Sequence, residues 1–102
     1  MKVVLSAEAR RDLGEIGDYI AQDNPRRARS FVRELVAKAR GIGEAPHGSE
    51  LVARYRDLGI RRRPFGAYLI FYRVEHSHVW VIRILHGARD YEAVLFPDPP
   101  DR

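Results

Sequence analysis

Two consecutive stretches, YLIFYRV (68–74) and VWVIRILH (79–86), constrain this chain more than anything else in it. Both are dense in β-branched and aromatic residues, and EHSH (75–78) separates them by a turn, so they form paired strands. Neither alternates apolar with polar residues. In the first, Tyr68, Ile70, Tyr72 and Val74 oppose Leu69 and Phe71. In the second, Trp80, Ile82, Ile84 and His86 are expected on one face and Val79, Val81, Arg83 and Leu85 on the other. Strands that are apolar on both faces need cover on both. Where cover falls short, an apolar strip remains, and such strips mark partner sites. The sequence therefore predicts a fold that is incomplete alone.

The rest of the chain supplies cover for one face. VVL (3–5) is a short strand, and Ser6 after it is a helix N-cap, with Glu8 in the first turn favouring the helix dipole. Ala9, Leu13, Ile16 and Ile20 then fall on one helical stripe. Gly14 and Gly17 weaken that helix and leave room for close packing by a second one. DNP (23–25) ends the first helix and starts the next, with Asn24 as cap and Pro25 in the first turn. Ala28, Phe31, Val32, Leu35, Ala39 and Ile42 make the second apolar stripe, and Arg26, Arg29, Arg33 and Arg40 lie nearly opposite, as a solvated face. Glu34 and Lys38 are spaced for an i,i+4 pair. The short link makes an antiparallel helical hairpin. A Gly- and Pro-containing loop (41–50) leads to a third strand, LGIRRR (58–63), closed by the turn PFGA. ARDYEAVLF (88–96) can lay Tyr91, Val94, Leu95 and Phe96 on the second face of the sheet, and PDPPDR (97–102) is a frayed end. The expected architecture is α+β: an N-terminal strand, a helical hairpin, then a three-strand antiparallel meander, forming one small sheet in a single domain of 102 residues.

Charge is concentrated. Five of the 18 basic residues and one of the 14 acidic ones fall in RYRDLGIRRR (54–63), so this segment carries the formal charge of +4 and the rest of the chain balances. Such a patch steers toward nucleic acid or an acidic protein; equally, charges on an edge strand deter aggregation. The chain has no cysteine, which removes disulfides and thiolate metal sites. MKVVLSAEARRDL lacks the apolar core of a signal peptide, and no run is long enough to span a membrane. A cytoplasmic protein without membrane contact is expected.

One constellation suggests chemistry. His86, Arg89 and Tyr91 follow the last strand, and a metal-free ribonuclease needs a base, an acid and a cation of these types. The plainer alternative has His86 bonded to backbone at the strand end and Arg89 paired with Asp90 or Glu92. His47, His76 and His78 lack ligand spacing, so no metal is expected. There is no phosphate-binding loop and no dinucleotide fingerprint, so no cofactor is expected either.

VVLSAEARRDLGEIGDYIAQDNPRRA, LGIRRRPFGAYLIFYRV and VIRILHGARD together resemble the ParE branch of the ParE/RelE superfamily, toxins of type II toxin–antitoxin pairs, over roughly residues 2–93. The resemblance implies a growth-inhibiting toxin directed at DNA gyrase and held silent by a ParD-like antitoxin whose tail wraps it. RelE-like relatives instead cut mRNA on the ribosome. They carry an Arg just after the Tyr that opens the middle strand, where this chain has Leu69, and paired lysines in the preceding loop, which have no clear match here although Arg61, Arg62 and Arg63 are cationic nearby. Arg89 and Tyr91 still match the Arg and Tyr of the RelE tail. The resemblance thus favours a protein-binding inhibitor over an endonuclease, with direct nucleic-acid binding not favoured. Contacts with antitoxin or target are expected on the outer hairpin surface, including Arg33, and on a strip formed by Arg61, Arg63, Arg83, Leu85, His86 and Arg89. An acidic antitoxin tail would suit that charge, and strand addition at a sheet edge is the other expected mode.

Overall fold

A computed structural model describes residues 1–95; Phe96 and the tail 97–102 lie outside them. The elements are β1 (Lys2–Leu5), α1 (Ala7–Ala21), α2 (Pro25–Gly41), β2 (Arg61–Phe65), β3 (Tyr68–Glu75), β4 (His78–His86) and α3 (Tyr91–Leu95), with short 3-10 turns at Ile42–Glu44 and Ala53–Leu58. The four strands form one sheet in the order β1-β4-β3-β2. β2, β3 and β4 make the antiparallel meander, and β1 runs parallel to β4.

Both helices begin as the sequence dictates. Ser6 Oγ accepts from Ala9 N–H at 2.9 Å and Asn24 Oδ1 from Arg27 N–H at 3.0 Å, which satisfies one orphan donor at each helix start. Glu34 departs from expectation: it pairs with Arg27 at 2.8 Å rather than with Lys38, because Arg27 also bonds Ser30 and so lies along the same helix edge. Gly17 lets the two helices lie close, since a Cβ there would sit 3.3 Å from Val32 Cγ2, tighter than ordinary contact; at Gly14 a Cβ would meet nothing within 4 Å. The hairpin closes one face of the sheet over Leu13, Ile16, Leu35, Ala39, Ile70, Tyr72, Val79, Val81 and Ile84.

Three strand details correct the sequence expectation. β2 begins at Arg61, not Leu58, because residues 53–58 wind into a 3-10 turn that ends at Gly59. The β2–β3 turn is Gly66–Ala67 alone, with Gly66 at φ +58°, so Pro64 and Phe65 belong to the strand. Proline is tolerated there because β2 is an edge. Finally, the regular alternation in β4 breaks at a bulge. Phe71 pairs with Arg83 but Tyr72 pairs with Val81, leaving Ile82 as the extra residue. Val79, Val81 and Ile84 therefore all face the hairpin, while Ile82 and Leu85 pack on the opposite side. Ser6 seals the irregularity: its N–H donates to Val81 O at 3.0 Å and its hydroxyl to Ile82 O at 2.8 Å.

The second face has a smaller core of Val52, Ile60, Phe71 and Leu85, onto which Tyr91, Val94 and Leu95 pack. The tail thus supplies part of the cover expected of it. An open groove of about 640 Å³ remains beside it, with Leu58, Trp80, Ile82 and Val94 among its walls.

Candidate functional site

The basic segment turns inward more than its composition suggests. Arg61 Nη1 donates to Ser49 O at 2.6 Å. Arg63 reaches Ser49 Oγ at 2.6 Å and Ala45 O at 2.9 Å. Arg62 binds Glu50 Oε1 at 2.6 Å and the Tyr91 hydroxyl at 2.8 Å. The Glu50 hydrogen bond raises the Arg62 pKa, against the opposing effect of burial. These arginines tie the 45–50 loop, and through Tyr91 the C-terminal helix, to the sheet edge. Most partners of Arg61 and Arg63 are neutral carbonyls and a hydroxyl, so their positive field is held in place rather than cancelled.

Arg83 is also committed. Its guanidinium forks onto both carboxylate oxygens of Asp12 at 2.8 Å each. Asp12 Oδ2 accepts a further bond from Ile84 N–H at 2.9 Å. Asp12 is only 5% exposed, and a buried carboxylate is tolerable only when paired and bonded in this way. The bond from Asp12 raises the Arg83 pKa, burial opposing it. Sequence reasoning missed Asp12, although a signal exists: it stands three residues after Ala9 and four before Ile16, on the apolar stripe of α1. Leu85, expected at a contact surface, is 2% exposed instead; it pairs with Leu69 across the strands and packs in the second core.

The strand-end residues separate onto two sides. His86 packs edge-on against Tyr68 with ring centroids 5.3 Å apart, beside Tyr19 and Arg89 in a small pocket of about 140 Å³ on the hairpin side. Burial lifts the Tyr68 pKa, with a smaller push from Tyr19. Tyr91 lies on the opposite face, its ring 5.0 Å from Phe71 and its hydroxyl taken by Arg62. The structure therefore brings His86 and Arg89 together and leaves Tyr91 out. His86 Nδ1 accepts from Ala88 N–H at 3.1 Å, which holds the ring against the turn that follows β4. Arg89 has no ion pair among the described residues; Glu92 pairs with Arg54 at 3.8 Å instead.

Arg33 sits on the outer hairpin, on the rim of a second groove of about 550 Å³ between α1 and α2. Among the described residues, no group of three or more His, Cys, Asp or Glu could hold a metal ion, and no helix is long and apolar enough to cross a membrane.

Comparison with known proteins matches this geometry to one family. A family model described as the ParE toxin of the type II toxin–antitoxin system parDE covers residues 3–91. Toxin RelE1 of Caulobacter vibrioides is 35% identical over 88 residues, spanning 83% of this chain and 91% of that protein. A chain of the chromosomal ParDE system from P. aeruginosa superposes with a TM-score of 0.71 at 22% identity, over 84% of this chain and 95% of its own length. A chain of the RelBE2 toxin–antitoxin complex from Mycobacterium tuberculosis gives 0.62 at 26% identity, over 83% and 95%. The four-stranded sheet, capped hairpin and strand-end rim thus belong to a ParE-family toxin of a type II toxin–antitoxin system, within the ParE/RelE superfamily.

Proposed function

We propose that this toxin inhibits DNA gyrase by binding it, without chemistry of its own, and is silenced in the cytoplasm by a ParD-like antitoxin. The observation that carries this reading is the division of the strand-end trio. Acid–base cleavage of RNA needs proton-transfer groups within about 3 Å of the reacting atoms. Tyr91 is on the far face of the sheet, bonded to Arg62. His86 Nδ1 is already engaged by the Ala88 N–H. Leu69, where the nucleases carry a phosphate-binding Arg, is packed in the second core. His86 and Arg89 are then contact residues, and aromatic and Arg side chains of this kind dominate protein interfaces. The fields of Arg61 and Arg63 suit an acidic antitoxin tail.

The second reading is a ribosome-dependent mRNA endonuclease, favoured by a relative that bears the name Toxin RelE1. Induction of this chain alone in a bacterium separates the two. Gyrase binding predicts filamentous cells, a DNA damage response and intact translation in vitro. Rapid translation arrest with cut messages, abolished by His86→Ala, would replace it with the nuclease.

A further inference from the structure

The aromatic residues around the strand end enclose a cavity larger than the His86 pocket. Tyr19, Ile20, Phe31, Ala67, Tyr68 and His86 line a cleft of about 480 Å³ between the hairpin and the β2–β3 turn. Its walls are aromatic and in contact: the ring centroids of Phe31 and Tyr68 are 5.7 Å apart, and those of Tyr68 and His86 5.3 Å. Tyr19 is 69% exposed and His86 is exposed as well, so both keep ring surface open to a ligand. Tyr19, Tyr68 and His86 also line the pocket of about 140 Å³ that holds Glu15 and Arg89. The two cavities form one site, with aromatic walls and a charged end. Several features narrow what it can hold. The Tyr19 and Tyr68 hydroxyls have no hydrogen bond among the described residues, and Glu15 and Arg89 have no ion pair among them. Asp12, also at the charged end, is neutralised by the Arg83 fork. An aliphatic or phenyl group would cover the hydroxyls and Glu15 without bonding to them, which is unfavourable. A guanidinium or ammonium would be attracted to the rings but would meet Arg89. A planar ring with amino groups at its edge, joined to an anion, satisfies all of these groups.

We propose that this cleft binds one nucleotide unit, its base stacked on the aromatic walls, an exocyclic amino group donating to Glu15 and its phosphate on Arg89. Every base has a π-face, so stacking on aromatic side chains is favourable throughout. A carboxylate selects among bases by accepting from an amino group, and the arginine fork matches phosphate oxygens. The unit is either a free nucleotide or an unpaired base in a single strand. The proposal goes beyond gyrase binding and calls for no cleavage chemistry, although it uses His86 and Arg89, the residues of the proposed target contact.

The test titrates the full-length protein, labelled with 15N, with CMP, UMP, cytidine and phenol. CMP and UMP match in size and differ at the amino group that Glu15 would read. CMP is expected to shift the amides of Tyr19, Ala67, Tyr68 and Arg89 and to bind at least about fivefold more tightly than UMP. Glu15→Ala should erase that preference. Arg89→Gln should lower CMP to the level of cytidine and leave cytidine unchanged. Tyr19→Ala, at an exposed position, should weaken CMP at least about fivefold with an unchanged Tm. A cytosine pentanucleotide that binds more tightly per base than CMP identifies the source as a single strand, and equal affinity per base identifies a free nucleotide. Equal binding of CMP and UMP, equal shifts from phenol, or CMP shifts centred on Arg61, Arg62 and Arg63 would overturn the proposal, as would no shift from CMP at all. Filamentation by the chain alone is scored separately, so failure of the nucleotide site leaves the gyrase reading standing, and the reverse.

Discussion

The two faces of the sheet are built by different means. The hairpin face is a continuous apolar core in which Leu35, Ala39, Ile70, Tyr72, Val79 and Val81 are fully buried, fastened by a buried ion pair. Among the described residues, the opposite face has four buried residues, a five-residue helix and arginines bonded to loop carbonyls. Apolar burial contributes in proportion to area, whereas hydrogen bonds at a half-exposed edge contribute modestly. The first face therefore carries more of the domain's apolar stabilisation than the second.

The comparison can be broken by mutation. Leu35→Ala should cost about 4 kcal/mol, the usual range for a fully buried leucine, whereas Val94→Ala should cost under about 1 kcal/mol by removing half-buried methyls. Equal costs in urea denaturation would mean that the faces are not unequal. Asp12→Ala leaves Arg83 and Ile84 N–H without their acceptor and should cost about 3 kcal/mol; Asp12→Leu combined with Arg83→Met should recover most of it if desolvation is the cause. Arg62→Ala should cost about 1 kcal/mol but strip hydrogen-exchange protection from Tyr91–Leu95 out of proportion to that loss. Unchanged protection would show that α3 is held by its apolar contacts alone. The smallest effect is expected at the β3–β4 turn, where His76 and Ser77 adopt φ +52° and +63° without a glycine. Ser77→Gly should stabilise by about 0.5 kcal/mol, read as a shift in Tm.

Much of the hairpin face was legible because its signals are local. Ser6 and Asn24 announce their helices, and the Ala9–Leu13–Ile16 and Ala28–Leu35–Ala39 stripes state which sides turn inward. What escaped depends on partners distant in sequence. No local pattern shows that β1 lies parallel to β4, or that Ile82 is bulged and so carries Ile84 to the hairpin side with Val79 and Val81. The arginines were legible only as charge. Arg61, Arg63 and Arg83 are charged, but only the fold reveals that each is already bonded to Ser49, Ala45 or Asp12. Leu85 looked like a rim residue because its cover, Tyr91 to Leu95, follows a turn whose direction the sequence does not state.

The bulge in β4 has a mechanical consequence. Residues 82, 83 and 84 each hold the start of α1 by a directional bond, through Ser6 or Asp12. Beyond Asp12, no side-chain hydrogen bond joins α1 to the sheet among the described residues, and the contacts of Ile16 and Ile20 are apolar. Such contacts resist separation but not small rotations. The hairpin is thus riveted at its root by directional bonds and held toward the Gln22–Asn24 tip by apolar and aromatic packing, with Phe31 packed against Phe65 and Tyr68.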